Sequence, residues 1–377
     1  KFDASEWADT FKKAGAKFVM PVAEHHDGFQ MYDSDLSDWC ASKMGPKKDI
    51  VGLLKNELEA RDIVLTTSSH RVEHYWFMEG INEFDSGVKK PEYGDLYWPS
   101  VKMPQVDGDT GVISGFTVSK EYMEDWLART CEIADKYRPS IMYFDWWIQV
   151  EAMKPYLKKF AAYYYNRALE WGKEVTINYK FDAYMYKTAV SDIERGQLAN
   201  ISPDFWQNDT SVAKNSWGYT EGNDYKESHE IICDLVDVVS KNGSLLLNIG
   251  PKSDGTIPKE DTDILLEIGK WLEVNGEGIY GSSYWKRYGE GPTEVVEGHF
   301  TDTLRKPFTS EDIRFTYKDG YLYAFILKSP KDGVIKIKSL GKKPRLFCGL
   351  IEEVSILGQQ EKPTYYVCDD AMTVITK

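Results

Sequence analysis

Two rhythms of apolar residues divide this chain. Up to about position 280, short apolar runs alternate with stretches whose apolar residues recur three or four apart, the spacing of one helix face. Residues 5–15 read as a short helix with Ser5 at its start and Gly15 as its stop. Residues 16–23 follow as a strand that runs into Glu24-His25-His26-Asp27-Gly28-Phe29. Residues 49–61 form an amphipathic helix with Ile50, Leu53, Leu54 and Leu58 on one face. The strand 63–68 then leads into Ser69-His70-Arg71-Val72-Glu73-His74. Helices are expected over 121–137, 154–171, 227–241 and from Pro258 onward, where Ile264, Leu265, Ile268, Trp271 and Leu272 make the inner face. Between them lie strands at 140–144, 174–178, 189–194, 204–209 and 244–248. Strand and helix in alternation call for a parallel sheet with helical crossovers. The count is seven strands, one short of a closed eight-stranded barrel.

Beyond about residue 285 the rhythm changes to strict alternation. Residues 315–327 are two alternating runs around Asp319-Gly320, a strong hairpin signal. Residues 334–338, 354–357 and 372–375 continue in kind. The expected architecture is therefore α/β: a TIM-like (β/α) barrel domain over 1–284, its first strand missing from this chain, and an antiparallel β-sandwich over 285–377. Residues 80–120 show no clear periodicity, and so long a loop in a compact domain suits a lid or substrate wall.

The strand ends carry the chemistry. Strand 140–144 runs into Asp145 and two tryptophans, and parallel barrels build their sites at the carboxyl ends of their strands. Other strand ends offer Glu24 with His25 and His26, Glu73 shortly beyond the next, and Glu194 with Arg195. One strand-end acid can be a helix cap; several, on parallel strands of one sheet, converge on one rim. Two carboxylates facing one pocket can cleave a glycosidic bond, one attacking the anomeric carbon and the other managing the proton.

Composition narrows the partners. With 46 Lys and Arg against 60 Asp and Glu, the net charge of −14 disfavours nucleic acid and anionic membranes. No apolar run has the length of a membrane span. Aromatic content is high, at 12 Trp, 24 Tyr and 16 Phe, which suits a surface that sugar rings pack against. Five scattered cysteines (Cys40, Cys131, Cys233, Cys348 and Cys368) show neither metal spacing nor a disulfide ladder and read as packed thiols. No metal or cofactor is expected: adjacent residues on an extended segment point opposite ways, which separates His25 from His26, and no phosphate-binding glycine loop is present.

Glu24-His-His-Asp-Gly-Phe29, Tyr143-Phe-Asp-Trp146, Ser216-Trp-Gly-Tyr219 and Leu247-Asn-Ile-Gly-Pro-Lys-Ser-Asp-Gly255 resemble glycoside hydrolase family 29, the retaining α-L-fucosidases. The resemblance implies an (α/β) barrel with a C-terminal β-sandwich, and exo-acting release of terminal α-linked fucose through a covalent glycosyl-enzyme. It implies Asp145 as nucleophile, His25 and His26 on fucose hydroxyls, Glu73 near the ligand and Tyr143 against the apolar face of the sugar. His70, Trp146, Arg195 and Gln207 join Glu24 as expected substrate contacts.

Two departures stand out. The family's opening strand, with a further substrate-binding His, is missing, as in a chain that was trimmed or that begins inside the domain. Many members carry a Glu after the Trp that precedes the Ser-Trp-Gly-Tyr segment; here Trp206 is followed by Gln207, which cannot cycle a proton. Glu194 is the substitute acid/base, ahead of Glu24 and Glu221. The rival reading is a fucose-binding protein that kept the pocket and lost turnover. The resemblance further implies a fucosylated glycan as partner and a periplasmic or secreted location; oligomeric state is left open.

Overall fold

The computed structural model describes all residues except 88–89, 99, 101–104, 107–112, 115–117, 348 and 377. The expected loop over 80–120 and Cys348 therefore lie partly or wholly outside the described residues. The chain forms two compact units, one of Phe2–Lys12 with Ala16–Asp192 and one of Ile193–Lys377 with Lys1 and Lys13–Gly15.

In the first unit, helix α1 (Ala4–Lys13) precedes strand β1 (Val22–Glu24), helix α2 (Ile50–Glu59), β2 (Thr67–Ser69), α3 (Lys120–Tyr137), β3 (Ile141–Phe144), α4 (Lys154–Trp171), β4 (Thr176–Tyr179) and β5 (Val190–Glu194). Strands β1 to β4 pair in parallel in the order β1-β2-β3-β4, and β4 pairs with β5 through Asn178–Val190 and Tyr179–Ser191. The first two expected strands are interrupted. Phe18–Val19 pairs separately with Val64–Leu65. Pro21 lacks an N–H to donate, and pairing resumes only at Val22. Asp49 caps α2, its carboxylate accepting the Gly52 N–H at 2.8 Å. On the helix side of the sheet Phe144 packs against Trp126 and Phe160, with ring centroids 5.2 Å away in each case. Alternation along β3 therefore turns Tyr143 and Asp145 to the opposite, inner face.

Strand and helix do not alternate throughout. A loop, without a helix, joins β4 to β5, and another joins β5 to β6 (Trp206–Ser211). In the second unit β6 is followed by α5 (Ser228–Ser240), β7 (Gly243–Asn248) and α6 (Lys259–Asn275). β6 and β7 are parallel over six residues each, and β6 lies between β5 and β7. Ile193, Trp206 and Val238 form one apolar cluster there, so Ile193 and Trp206 face α5 and their neighbours Glu194 and Gln207 face the other way. Seven strands in one sheet, four of their six connections carrying a helix, form the TIM-like part of the chain.

Two antiparallel three-stranded sheets follow. β8 (Ser283–Glu290), β9 (Ile313–Lys318) and β10 (Tyr321–Ile326) form one; β11 (Val334–Ile337), β12 (Thr364–Val367) and β13 (Met372–Ile375) form the other, in the order β11-β13-β12. The predicted hairpin is present: β9 and β10 meet at Asp319 and Gly320, both with positive φ, as a tight turn of primed type needs. Trp285, Ile313, Phe315, Ile337, Met372 and Val374 make the core of this β part. The expected strand at 354–357 is not formed; Thr364–Val367 takes the place beside β13. Thr, Tyr and Val are strand formers there just as well, and pairing partners rather than local pattern decided between the two segments.

Candidate active site

Asp145 stands one residue past β3. Its Oδ1 accepts the Trp146 N–H at 2.8 Å and lies 3.0 Å from Lys180 Nζ. Its Oδ2 lies 3.2 Å from His70 Nδ1. Burial alone would raise this carboxyl, but Lys180 and His70 outweigh it and hold Asp145 well below the usual carboxylate range. The backbone here is strained: Trp147 has φ 80, a left-handed conformation costly for a large side chain.

His70 follows β2 and bridges two acids. Besides Asp145, its Nδ1 lies 3.6 Å from Glu73 Oε1. Burial works to lower His70, yet the Asp145 and Glu73 carboxylates beside it raise it to about 10, which favours the imidazolium at neutral pH. Glu73, fully buried, is held by His26 Nε2, and burial with the Asp145 charge raises its carboxyl in spite of the histidines. His25 stacks on His70 at 4.4 Å and touches His26 at 4.1 Å. Although the His25 side chain reaches solvent, desolvation by the surrounding protein and the two neighbouring rings lower it to about 2, which leaves it neutral and able both to donate and to accept.

The expectation that His25 and His26 point apart does not hold. Extended backbone ends at Glu24 and the chain turns at His26, so the alternation rule no longer applies there. Their ring nitrogens and those of His70 come within 4.8 Å of one another, as do ligand atoms of His70, Glu73 and Asp145. Both groups could hold a cation by geometry alone.

Gly28 explains itself in this structure. With φ +84, a Cβ there would stand 2.0 Å from Arg71 Nη1 and 2.2 Å from the Leu96 carbonyl oxygen. Arg71, wholly buried, donates to that same carbonyl at 2.9 Å. The turn after the two histidines thus closes on Arg71 only because residue 28 has no side chain.

The remaining predicted residues are placed as follows. Tyr143 is buried with its ring 5.9 Å from His70 and 5.7 Å from Lys180 Nζ. Trp146 is half-buried beside Asp145, its ring 6.0 Å from Phe181. Glu24 is wholly buried and faces away from the histidines, 2.9 Å from Arg129 Nη1 and 3.6 Å from Arg71 Nε, where it fastens α3 to the sheet. In the second unit, Arg195 donates to the carbonyls of Ala213 (3.1 Å), Lys214 (3.2 Å) and Ser216 (3.0 Å) and lies over Trp217. It thereby brackets the Ser-Trp-Gly-Tyr segment onto the end of β5. Glu194 is buried, its backbone N–H directed at His299 Nδ1 at 3.1 Å, and Arg195 beside it takes φ 44. Gln207 is buried on β6.

Three contributors escaped the sequence reading. Lys180 lies just past β4, fully buried, 3.0 Å from Asp145 and 3.8 Å from Asp192. Its signal was available in retrospect: it sits at a strand end like the acids, two residues after Asn178. Phe77 stacks on His26 at 4.5 Å with half its surface open. His74 holds the His26 carbonyl with one ring nitrogen and the Trp98 carbonyl with the other, 2.6 Å each.

The family model described as Alpha-L-fucosidase matches residues 1–277. The tissue alpha-L-fucosidase of Homo sapiens is 30% identical over 348 residues, and that of Rattus norvegicus 29% over 347, each alignment covering 90% of this chain. The chain spans 64% of the length of these curated relatives. Among solved structures, the Thermotoga maritima alpha-fucosidase in complex with fucose aligns with TM-score 0.71 at 27% identity, covering 100% of this chain and 75% of that one. The same enzyme with a mechanism-based inhibitor aligns equally well. With its motifs, its parallel sheet and a family match over most of its length, this chain belongs to the alpha-L-fucosidase family.

Proposed function

We propose that this chain is an exo-acting, retaining α-L-fucosidase whose nucleophile is Asp145 and whose acid/base is Glu194. The observation that carries the reading is Asp145 itself: a carboxylate at a strand end, kept ionised by Lys180 and His70, with His25 stacked on that same His70. In this mechanism Asp145 attacks C1 of the fucosyl unit while Glu194 protonates the departing glycosidic oxygen. Water, deprotonated by Glu194, then displaces Asp145 from C1 and restores both groups. His25 and His26 hydrogen-bond the sugar hydroxyls, Glu73 orients His26, and Tyr143 with Trp146 covers the apolar face. Support for Glu194 is local: it lies two residues after Asp192 on β5, on the same strand face as the partner of Lys180.

We further read residues 1–284 as the catalytic domain, a barrel short of its first strand, and residues 285–377 as an accessory β-sandwich. The substrate is then a fucosylated glycan met outside the cytoplasm, in the periplasm or after secretion; one relative is named a plasma alpha-L-fucosidase, and among the described residues no helix is long and apolar enough to cross a membrane.

The test is release of phenol from 4-nitrophenyl α-L-fucoside, with the anomer of the methanolysis product read by proton NMR. The reading expects turnover with retention, its abolition in Asp145→Ala, and in Glu194→Ala a loss on natural glycans that azide restores on the aryl substrate. Fucose binding without phenol release would leave a sugar-binding protein instead. Natural-glycan hydrolysis at the unmodified rate in Glu194→Ala would remove Glu194 from its role.

A further inference from the structure

The loop from Lys180 to Ala189 crosses between two parallel strands, where a helix is the usual connection. Its conformation is costly: Phe181 has φ 55 and Lys187 φ 65, left-handed values that side chains with a Cβ rarely adopt. It is also firmly fastened. Lys154 Nζ donates to the carbonyl and carboxylate of Asp182, and the Tyr184 hydroxyl to the Leu157 carbonyl at 3.4 Å. Thr188 closes the far end by donating its N–H (3.1 Å) and its hydroxyl (2.6 Å) to the Met185 carbonyl, while the Tyr165 hydroxyl donates to the Thr188 carbonyl.

All this anchoring lifts two large side chains into solvent. Met185 is 74% exposed and Tyr186 69%, with Lys187 Nζ 5.3 Å from the Tyr186 ring. Burying apolar surface would stabilise the fold, yet these two large side chains stay exposed side by side on a strained, pinned loop. The loop is continuous with the reactive centre. It begins at Lys180, which holds Asp145, and its Phe181 ring lies 6.0 Å from Trp146, the residue after Asp145.

We propose that Tyr186 and Met185 form the platform for the saccharide to which the fucose is attached, with Phe181 and Trp146 leading from that platform to the reactive carbon. The occupant is a neutral pyranose ring, its C–H face on the Tyr186 ring and its hydroxyls within reach of the Lys187 ammonium. This inference rests on the fucosidase reading and names the residues that select its leaving group.

The experiment compares α-L-fucosyl fluoride, whose leaving group has no ring, with a fucosyl-lactose trisaccharide, using the full chain and the variants Tyr186→Ala, Met185→Ala and Tyr186→Phe. Both alanine variants should lose about fivefold or more in kcat/KM on the trisaccharide, mainly through KM, and stay within about twofold of the parent on the fluoride. Tyr186→Phe, which keeps the ring, should retain trisaccharide activity. Equal trisaccharide kinetics in parent and Tyr186→Ala would overturn the platform while leaving the fucosidase reading intact. Equal losses on both substrates would also overturn it, since the loop would then serve the site as a whole. No hydrolysis of fucosyl fluoride by the parent protein would overturn the fucosidase reading, and the platform with it.

Discussion

Lys180→Met removes the cation beside Asp145 while keeping the length of the side chain. At 3.0 Å and an effective dielectric constant of about 20, Coulomb's law gives the pair about 5 kcal/mol. The Trp146 N–H and His70 remain on Asp145, and its side chain is 15% exposed, so about half of that attraction, roughly 2–3 kcal/mol, should appear as lost stabilisation of the anion. Two consequences follow. Asp145 is depressed in the folded protein, so its contribution to stability is present above the ordinary carboxylate range and is lost as pH falls through the folded value. Without Lys180 that loss begins at higher pH, and the acidic limb of kcat/KM moves the same way. With one of its three partners gone, Asp145 also loses part of its fixed aim, and for the nucleophile proposed above a misplacement of about 1 Å can cost about a hundredfold in rate. The assay is kcat/KM for an aryl fucoside from pH 3.5 to 9, alongside thermal unfolding, with Lys180→Arg as the control that keeps the charge. An acidic limb unmoved in Lys180→Met, in a variant that unfolds as the parent does, would refute the argument that Lys180 keeps Asp145 ionised.

Gly28→Ala should lower both stability and activity, because its new methyl group would meet the Arg71 guanidinium and the Leu96 carbonyl at 2.0–2.2 Å; an unaltered melting temperature and KM would contradict that geometry. Asp237 is wholly buried and accepts from both Lys241 Nζ and Arg314 Nε, so Asp237→Ala leaves two unpaired cations and should cost about 3–5 kcal/mol in urea unfolding. His70 is raised to about 10, so its contribution to stability is full below its ordinary value near 6.5 and disappears as pH rises through about 10. Melting temperatures across that window should fall in the parent and change less in His70→Gln.

Much of the fold was written in local pattern. Helical spacing found α2 to α6 within a few residues, and Asp319-Gly320 marked the hairpin because only a turn with positive φ joins strands so closely. The strand-end rule singled out Asp145 and Glu73, and His70, expected as a substrate contact, stands between them. Local pattern misled where pairing partners decide, as in the exchange of 354–357 for Thr364–Val367 beside β13, and at His25 and His26, where the strand stops one residue before the pair.

The sequence by itself determined the order of elements, the strand ends that carry ionisable groups, and the glycine the turn requires, because each is fixed by neighbours a few residues away. Only the tertiary structure decided charge and role. Glu24 ends one strand and Glu73 follows another, yet one is tied to Arg129 and the other to His26. Lys180 is one lysine among many until the parallel pairing of β3 with β4 sets it against Asp145. Proton affinity and reach depend on what stands within about 4 Å, and those neighbours lie tens of residues away along the chain.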